Sequence, residues 1–207
     1  MKTILCFGDS NTYGYIQCGC GARFSAETRY PGRLRELLGP CYDVIEEGLN
    51  GRTTIFEDEF SGRRGIDYIS PCVRSHMPID VITIMLGTND CKTRFYASID
   101  DISFGMSQII DAVNFAAASP IKILLIAPPH LGEKISESIW AMEFSPESLI
   151  KSKGLAAAYR ALAVRKGCLF LDAAEIAHTG QDMAHMDAEN HLILAAKLFE
   201  TIKNNIA

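Results

Sequence analysis

The hydrophobic positions of the chain fall into short unbroken runs that are separated by longer segments with helical spacing. The runs occupy residues 4–7, 44–45, 81–86, 121–127 and 168–171. The runs are apolar apart from Thr83 and Lys122, whereas a strand with one solvent-facing side would alternate apolar and polar residues. Such runs are typical of strands that are buried on both faces, as in a parallel sheet covered by helices.

The segments between the runs predict helices over residues 31–38, 102–118, 147–166 and 188–206. In the last segment, Leu192, Ala195, Phe199 and Ile202 recur at spacings of three and four, which forms one apolar stripe. The alternation of strand and helix predicts an α/β fold with a parallel sheet and right-handed crossovers.

Length and composition indicate one globular domain over residues 1–207. The chain is 48% apolar and 22% charged, as is usual for globular proteins. Its net charge of -5 and the absence of a Lys/Arg run argue against nucleic acid or a membrane surface as the partner. No apolar run approaches the roughly 20 residues of a membrane span, and the first run reads as a strand rather than a signal peptide. We therefore expect a cytoplasmic protein.

The cysteines and histidines give no strong metal signal. Cys18 and Cys20 are the only close pair among seven cysteines, and their one-residue spacer is neither CxxC nor backed by a second pair. We expect free thiols there rather than a metal or redox site. His185 and His191 lack the HExxH spacing and a nearby cysteine, so we expect no zinc site at that position either.

Two long connections, residues 11–30 and 128–146, interrupt the alternation. Loops of this length in a compact domain are usually functional or interfacial. Within the second, residues 131–144 form either a substrate-binding lip, a subunit contact or ordinary core packing. The apolar residues of that segment are Ile135, Ile139, Trp140, Met142 and Phe144.

Ligands of open parallel sheets bind at the carboxyl ends of the strands, so we expect the functional residues directly after each predicted strand. Ser10 follows the first strand in Gly8-Asp9-Ser10, where it is either a nucleophile near a helix start or, with Asp9, only a helix cap. After the second strand, the Asn50-Gly51 pair is either a simple turn or a site where the Gly51 N–H points at a ligand oxygen.

Two further blocks follow the later strands. Asn89 can aim its side-chain amide into the site, or it can stabilise its own loop, and we assign that second role to Asp90. Asp182 and His185 lie three residues apart ahead of the last helix, a spacing at which the carboxylate could orient the imidazole.

Together, these blocks resemble the SGNH (GDSL-type) hydrolases. The matching blocks stand in family order and span residues 8–185: Gly8-Asp9-Ser10, Gly51, Gly87-Thr88-Asn89-Asp90, and Asp182 with His185. The resemblance implies a flavodoxin-like three-layer α/β/α sandwich with a central parallel sheet of about five strands. It also implies a serine carboxylic ester hydrolase that needs no metal and no organic cofactor.

The same resemblance implies a role for each residue. Ser10 would be the nucleophile, His185 the base, and Asp182 the carboxylate that orients the base. The oxyanion hole would consist of the Ser10 N–H, the Gly51 N–H and the Asn89 amide.

Residues 4–10, 44–54 and 84–90 look most like the bacterial arylesterase and acyltransferase branch of the family. Members of that branch hydrolyse short-chain and aryl esters, some transfer acyl groups to alcohols, and they are typically homo-oligomers. This chain has Asn11, Tyr13 and Met183 where the family or branch usually has Leu, Trp and Gly. We expect the changes at Asn11 and Met183 to alter local packing or specificity, whereas Tyr13 in place of Trp affects the expected efficiency of acyl transfer. We name Asn11, Tyr13 and Trp140 as candidate substrate-binding residues.

Other activities stay open. The same site could serve a carbohydrate O-acetyl esterase, a lysophospholipase or a thioesterase, because specificity lies in the loops. A flavodoxin-like module that only binds a small ligand would need a phosphate cradle, and neither GxGxxG nor GxxxxGKS is present.

Overall fold

The computed structural model describes residues 1–17, 21–60 and 62–206 and contains a central sheet of five parallel strands. The strands are β1 (Lys2–Gly8), β2 (Tyr42–Gly48), β3 (Val81–Met85), β4 (Lys122–Ala127) and β5 (Leu169–Asp172). They are arranged in the order β2-β1-β3-β4-β5. The predicted five-strand parallel sheet is therefore confirmed. The Cys18–Cys20 pair, for which free thiols were predicted, lies outside the described residues.

Six α-helices accompany the sheet in the described residues. They are α1 (Ser10–Tyr13), α2 (Tyr30–Leu38), α3 (Gly65–His76), α4 (Ile99–Ala116), α5 (Pro146–Lys166) and α6 (Ala188–Ile206). The four helices predicted from periodicity are present, with ends shifted by at most three residues. The sequence did not predict α3, because Pro71 lies in its interior and proline usually breaks a helix there. The Pro71 side chain is exposed, and the apolar face of α3 packs on the sheet.

The helices form two layers, one on each face of the sheet. Alternate residues of β1 point to opposite faces, so that Leu5 packs with α3, α4 and α5, whereas Ile4 packs with α2 and α6. The three-layer α/β/α sandwich is thus confirmed. No helix in the described ranges is long and apolar enough to cross a membrane.

The carboxyl ends of the first three strands lie side by side. Gly8 at the end of β1 pairs with Gly48 of β2 and Met85 of β3. A Cβ atom on Gly8 would lie 2.8 Å from the Met85 carbonyl oxygen, and one on Gly48 would collide with the Tyr13 backbone nitrogen. Both positions require glycine because the backbones approach so closely. The loops that follow β1, β2 and β3 therefore start from one edge of the sheet.

His191 is a fully buried histidine of α6. Its Nδ1 accepts a hydrogen bond of 3.3 Å from the Tyr30 N–H, and its Nε2 has no partner among the described residues. Burial lowers the pKa of His191 to about 4, although Asp187 opposes the shift. The folded protein therefore holds this imidazole in its neutral form.

This burial predicts an acid-sensitive contribution to stability. In the unfolded chain His191 takes up a proton near pH 6.5, whereas the folded chain excludes it until about pH 4. The free energy of unfolding should therefore fall between these pH values by about 3 kcal/mol relative to His191→Gln, which cannot titrate. Urea unfolding of both proteins at pH 7.5 and pH 4.5 measures the difference. An equal loss in both would contradict this account.

Candidate active site

Ser10, His185 and Asp182 form a continuous hydrogen-bonded chain at the edge where β1, β2 and β3 end. The Ser10 Oγ lies 2.9 Å from His185 Nε2, and His185 Nδ1 lies 2.6 Å from Asp182 Oδ2. All three side chains are buried. The structure thus brings together the three residues that the sequence analysis named as nucleophile, base and orienting carboxylate.

Asp182 is held by its own loop. Its Oδ1 accepts the N–H groups of Ala184 and His185, and its Oδ2 also accepts the indole N–H of Trp140 at 3.1 Å. Burial alone would raise the pKa of Asp182, but the hydrogen bonds and charge of His185 outweigh it and hold the pKa below its ordinary value. The carboxylate is therefore ionised and fixed in place before any ligand arrives.

Ser10 is the first residue of the short helix α1. Asp9 caps this helix by accepting the N–H of Asn11 at 3.0 Å, and Gly14 ends it in the left-handed conformation. The N–H of a first helical residue has no acceptor within its helix. The helix cap and the candidate nucleophile are therefore different residues, since Asp9 caps α1 and Ser10 lines the cavity.

Gly51 and Asn89, the other two residues predicted for the oxyanion hole, line the same cavity as Ser10. Gly51 has a φ of 78°, a conformation that favours glycine, and it lines the cavity together with Asn89. The Asn89 Nδ2 donates to the Arg52 carbonyl oxygen at 3.2 Å and lies 3.5 Å from Asp9 Oδ2. The first contact fixes the amide, while the second is long enough for a substrate oxygen to compete with it.

The loop that carries Gly51 is held by buried polar contacts. Asp90 Oδ1 accepts the Thr54 N–H at 2.8 Å and also the Thr54 hydroxyl. The Arg52 guanidinium donates to the carbonyl oxygens of Gly8, at 2.8 Å, and Glu47. Asp90 has the structural part expected for it, but it stabilises the loop after β2 rather than its own loop.

Asn11 links α1 to the loop of His185. Its Oδ1 accepts the Met186 N–H at 2.9 Å, and its Nδ2 lies 3.4 Å from the Ala184 carbonyl oxygen. These contacts flank His185 on both sides. Asn11 was a candidate substrate-binding residue, but its side chain is directed at this loop and does not line the cavity.

Gln17 also binds the loop that carries His185. Its amide donates to the His185 carbonyl oxygen at 2.6 Å and accepts the Gln181 N–H at 3.0 Å. Gln17 was not predicted as a site residue, because no local sequence pattern indicates its role. Its partners lie more than 160 positions away in the chain.

The cavity at Ser10 has a volume of about 300 Å³. One wall is aromatic, because the Tyr15 ring lies 4.4 Å from the His185 ring and the Trp140 ring 5.5 Å from it. Trp140 thus lies where a substrate-binding residue was expected. Tyr13 does not line the cavity, since its ring packs against the Arg23 guanidinium. Tyr15, which the sequence analysis did not name, takes the place expected for Tyr13.

The residues of segment 131–144 have different surroundings, which correspond to different alternatives that the sequence left open. Ile135 and Phe144 are buried in the core, and Phe144 also lines the cavity. Trp140 lines the cavity, whereas Ile139 and Met142 are exposed. Core packing and the cavity wall are thus both present in one segment.

Another part of the cavity lining is charged. Asp58, whose side chain is fully buried, accepts Arg63 at 2.9 Å, Arg94 at 3.0 Å and Lys92 at 3.3 Å. Lys92 also pairs with Glu143 at 2.6 Å. Burial would raise the pKa of Asp58, but the cations around it hold that pKa below its ordinary value.

Three of these charged residues, Arg63, Lys92 and Glu143, line the cavity. A Cβ atom on Gly51 would lie 2.7 Å from the Arg63 Cζ, so the guanidinium packs directly on the Gly51 backbone. The partners are scattered along the sequence, and no motif points to them. In the described part of the chain, the side chains at this cavity form no group of three metal ligands.

The chain is similar to known proteins over nearly its whole length. Residues 6–193 match the model of the GDSL-like Lipase/Acylhydrolase family. An aryl esterase of M. smegmatis is 34% identical, with 99% of both chains covered and a TM-score of 0.91. Est24, a carbohydrate acetylesterase from Sinorhizobium meliloti, is 30% identical, with 99% of both chains covered and a TM-score of 0.89.

A third relative is matched over a shorter stretch. An acetylxylan esterase of Xylanibacter ruminicola is 28% identical over 119 residues, or 58% of this chain. The match spans only 23% of that esterase, so this chain resembles one part of a much longer protein.

The Asn11 contacts predict a specific loss of stability. In Asn11→Ala the Met186 N–H loses its partner inside the protein, which should lower the free energy of unfolding by about 1–3 kcal/mol. Asn204→Ala, at an exposed position of α6, is the control and should change it by less than about 0.5 kcal/mol. Urea unfolding measures both. If Asn11→Ala is as stable as the control, Asn11 does not hold the His185 loop.

Proposed function

The chain belongs to the GDSL-like lipase/acylhydrolase family, and we propose that it is a serine hydrolase that cleaves small carboxylic esters through an acyl-enzyme. The observation that carries this proposal is the unbroken hydrogen-bonded chain from Ser10 through His185 to Asp182 at the floor of a small cavity. A module that only binds a ligand has no need of this arrangement, which disfavours the flavodoxin-like alternative.

In the proposed reaction, the Ser10 Oγ attacks the ester carbonyl carbon while His185 Nε2 accepts the hydroxyl proton. Asp182 accepts the Nδ1–H of His185, which fixes the tautomer and stabilises the imidazolium that forms. The bond between the carbonyl carbon and the alkoxide oxygen then breaks, and His185 protonates the leaving alkoxide. The acyl group stays bonded to the Ser10 Oγ as the acyl-enzyme. A water molecule activated by His185 hydrolyses that ester and restores Ser10.

The tetrahedral oxyanion needs hydrogen-bond donors that are fixed in advance. We assign this part to the Ser10 N–H, the Gly51 N–H and the Asn89 amide, and this assignment is supported because all three residues line one cavity. Asp90 and Arg52 hold the loop of Gly51, and the Arg52 carbonyl oxygen holds Asn89. Preorganised donors of this kind are worth about 2.7–4 kcal/mol each in the transition state.

The cavity supports small substrates. A volume of about 300 Å³ is at the lower end for ligand sites, which favours short acyl groups over the long acyl chain of a lysophospholipid. Tyr15 and Trp140 offer an aromatic surface for a short acyl or aryl group. This surface supports the arylesterase reading, in line with the aryl esterase of M. smegmatis.

A second candidate substrate class is an acetylated carbohydrate. The charged wall of Arg63, Lys92 and Glu143 can hydrogen-bond to the hydroxyl groups of a sugar. The carbohydrate acetylesterase and acetylxylan esterase relatives point in the same direction.

Three further expectations from the sequence belong to the proposal. Tyr15 and Trp140 lie against the His185 ring, and an aromatic surface beside the base supports transfer of the acyl group to alcohols beside hydrolysis. Exposed apolar side chains such as Ile139 and Met142 support a homo-oligomer. The free thiols of the five described cysteines support a reducing, cytoplasmic location.

The central prediction concerns Ser10. Ser10→Ala removes the oxygen atom that is proposed to form the acyl-enzyme, so hydrolysis of p-nitrophenyl acetate and covalent labelling by an organophosphonate should both be lost. Ser119→Ala, at an exposed position, should retain both. Acetate, butyrate and octanoate esters tested in parallel should be cleaved in that order of preference. Labelling that persists in Ser10→Ala would place the nucleophile elsewhere.

The assignment of Asn89 is tested separately. Asn89→Ala should lower kcat for p-nitrophenyl acetate by about 10²–10³, because one oxyanion donor is lost. Phosphonate labelling of Ser10 should be slowed but still detectable, since the nucleophile and base are intact. Asn114→Ala, an exposed asparagine of α4, serves as the control. Turnover of Asn89→Ala at the wild-type rate would remove Asn89 from the oxyanion hole.

A further inference from the structure

A second group of reactive side chains lies beside the end of β2, outside the cavity of Ser10. Glu47 is the next-to-last residue of β2, and Cys72 and His76 belong to the last two turns of α3. One ligand atom from each of the three lies within 4.8 Å of the others. None of the three has a part in the proposed hydrolysis, and none lines the cavity of Ser10.

The helix brings two of these groups to one side. Residues four apart in a helix share a face, so Cys72 and His76 point in the same direction, as ligand pairs of this spacing do in zinc sites on helices. The third group comes from the sheet, where His76 Nε2 lies 2.9 Å from Glu47 Oε1. This group could not be predicted from the sequence, because Glu47 is far from Cys72 and His76 in the chain.

The donor set fits one class of ion. A thiolate sulfur, an imidazole nitrogen and a carboxylate oxygen are together the ligands of Zn²⁺, whereas Mg²⁺ and Ca²⁺ prefer oxygen alone. The thiolate and the carboxylate also carry the two negative charges that balance a divalent ion. Binding releases the Cys72 thiol proton to solvent, and the neutral His76 binds through a ring nitrogen.

Access is provided from the surface. Cys72 is buried, but the His76 and Glu47 side chains are 30% and 18% exposed. Glu47 also lines a shallow cleft of about 310 Å³, which runs along Gly48, Arg52 and Tyr68. Solvent can therefore reach the group and supply a fourth ligand.

We propose that Glu47, Cys72 and His76 form a Zn²⁺ site with one water molecule as the fourth ligand. Three protein ligands and one open position make a complete tetrahedral site. The bound ion ties α3 to the end of β2, directly before Gly48 and the loop that carries Gly51. Its expected effect is to stabilise the folded chain, because a ligand that binds only the folded state raises the unfolding temperature.

Cobalt is the spectroscopic probe for this site. Metal-free full-length protein titrated with Co²⁺ should bind one equivalent with an intense thiolate-to-cobalt band in the near ultraviolet, and Zn²⁺ should displace it. Cys72→Ser should lose the band. His76→Asn should weaken binding by more than about tenfold, since changes to groups that merely support a ligand already cost about 10–100-fold.

Two controls separate this site from other thiols. Cys41→Ser removes an exposed cysteine and should leave the band unchanged. A Cys18→Ser/Cys20→Ser double variant should also retain one equivalent of Co²⁺. Zn²⁺ should raise the unfolding temperature of the wild type and of both controls, but not that of Cys72→Ser.

The proposal is overturned if no thiolate band forms at one equivalent. It is equally overturned if the band survives Cys72→Ser or disappears in the Cys18/Cys20 variant. Far-ultraviolet circular dichroism of His76→Asn, a substitution at a partly exposed position, guards against a loss of binding that merely reports unfolding. None of these measurements depends on ester hydrolysis, so the result is independent of the function proposed for Ser10.

Discussion

The parallel register of β1, β2 and β3 is the constraint on which the candidate site depends. Gly8 lies level with Gly48 and Met85, so that three loops leave the sheet from one short edge. Because a side chain at Gly8 or Gly48 would collide with neighbouring backbone, the strands reach this level only with glycine at both positions. The positions of Ser10, Gly51 and Asn89 follow from where these strands end, since each residue lies only a few positions beyond its strand.

The strand register brings the loops of the candidate site close together, and buried polar contacts then fix their positions. Asp90 holds Thr54, the Arg52 guanidinium holds the Gly8 carbonyl oxygen, and Asn11 holds the loop of His185. Each contact joins segments that are far apart in the chain. Donors that are fixed before the substrate binds pay no reorganisation during the reaction, which is the physical basis of oxyanion stabilisation.

The sequence predicted those features that reside in short segments. Five apolar runs predicted the five strands, and the residues that follow them predicted the edge at which Ser10, Asp182 and His185 meet. The helix α3 was not predicted, because Pro71 interrupts its pattern although its side chain faces solvent.

Features that arise from long-range packing had no local signal. The contacts of Gln17 and the ion pairs around Asp58 join residues whose proximity only the fold creates. For the same reason Tyr15, rather than Tyr13, faces His185, a distinction that depends on the path of the loop after α1. The unusual Asn11 was recognised in the sequence, yet the partner of its side chain was not.

The central claim is that Ser10 attacks an ester whose oxyanion is received by three fixed donors. A crystal structure of the protein after reaction with an organophosphonate tests it most directly. We predict phosphorus bonded to the Ser10 Oγ, with one phosphoryl oxygen within about 3.1 Å of the Ser10 N, the Gly51 N and the Asn89 Nδ2. An adduct on another residue, or a phosphoryl oxygen directed away from Gly51 and Asn89, would contradict the account.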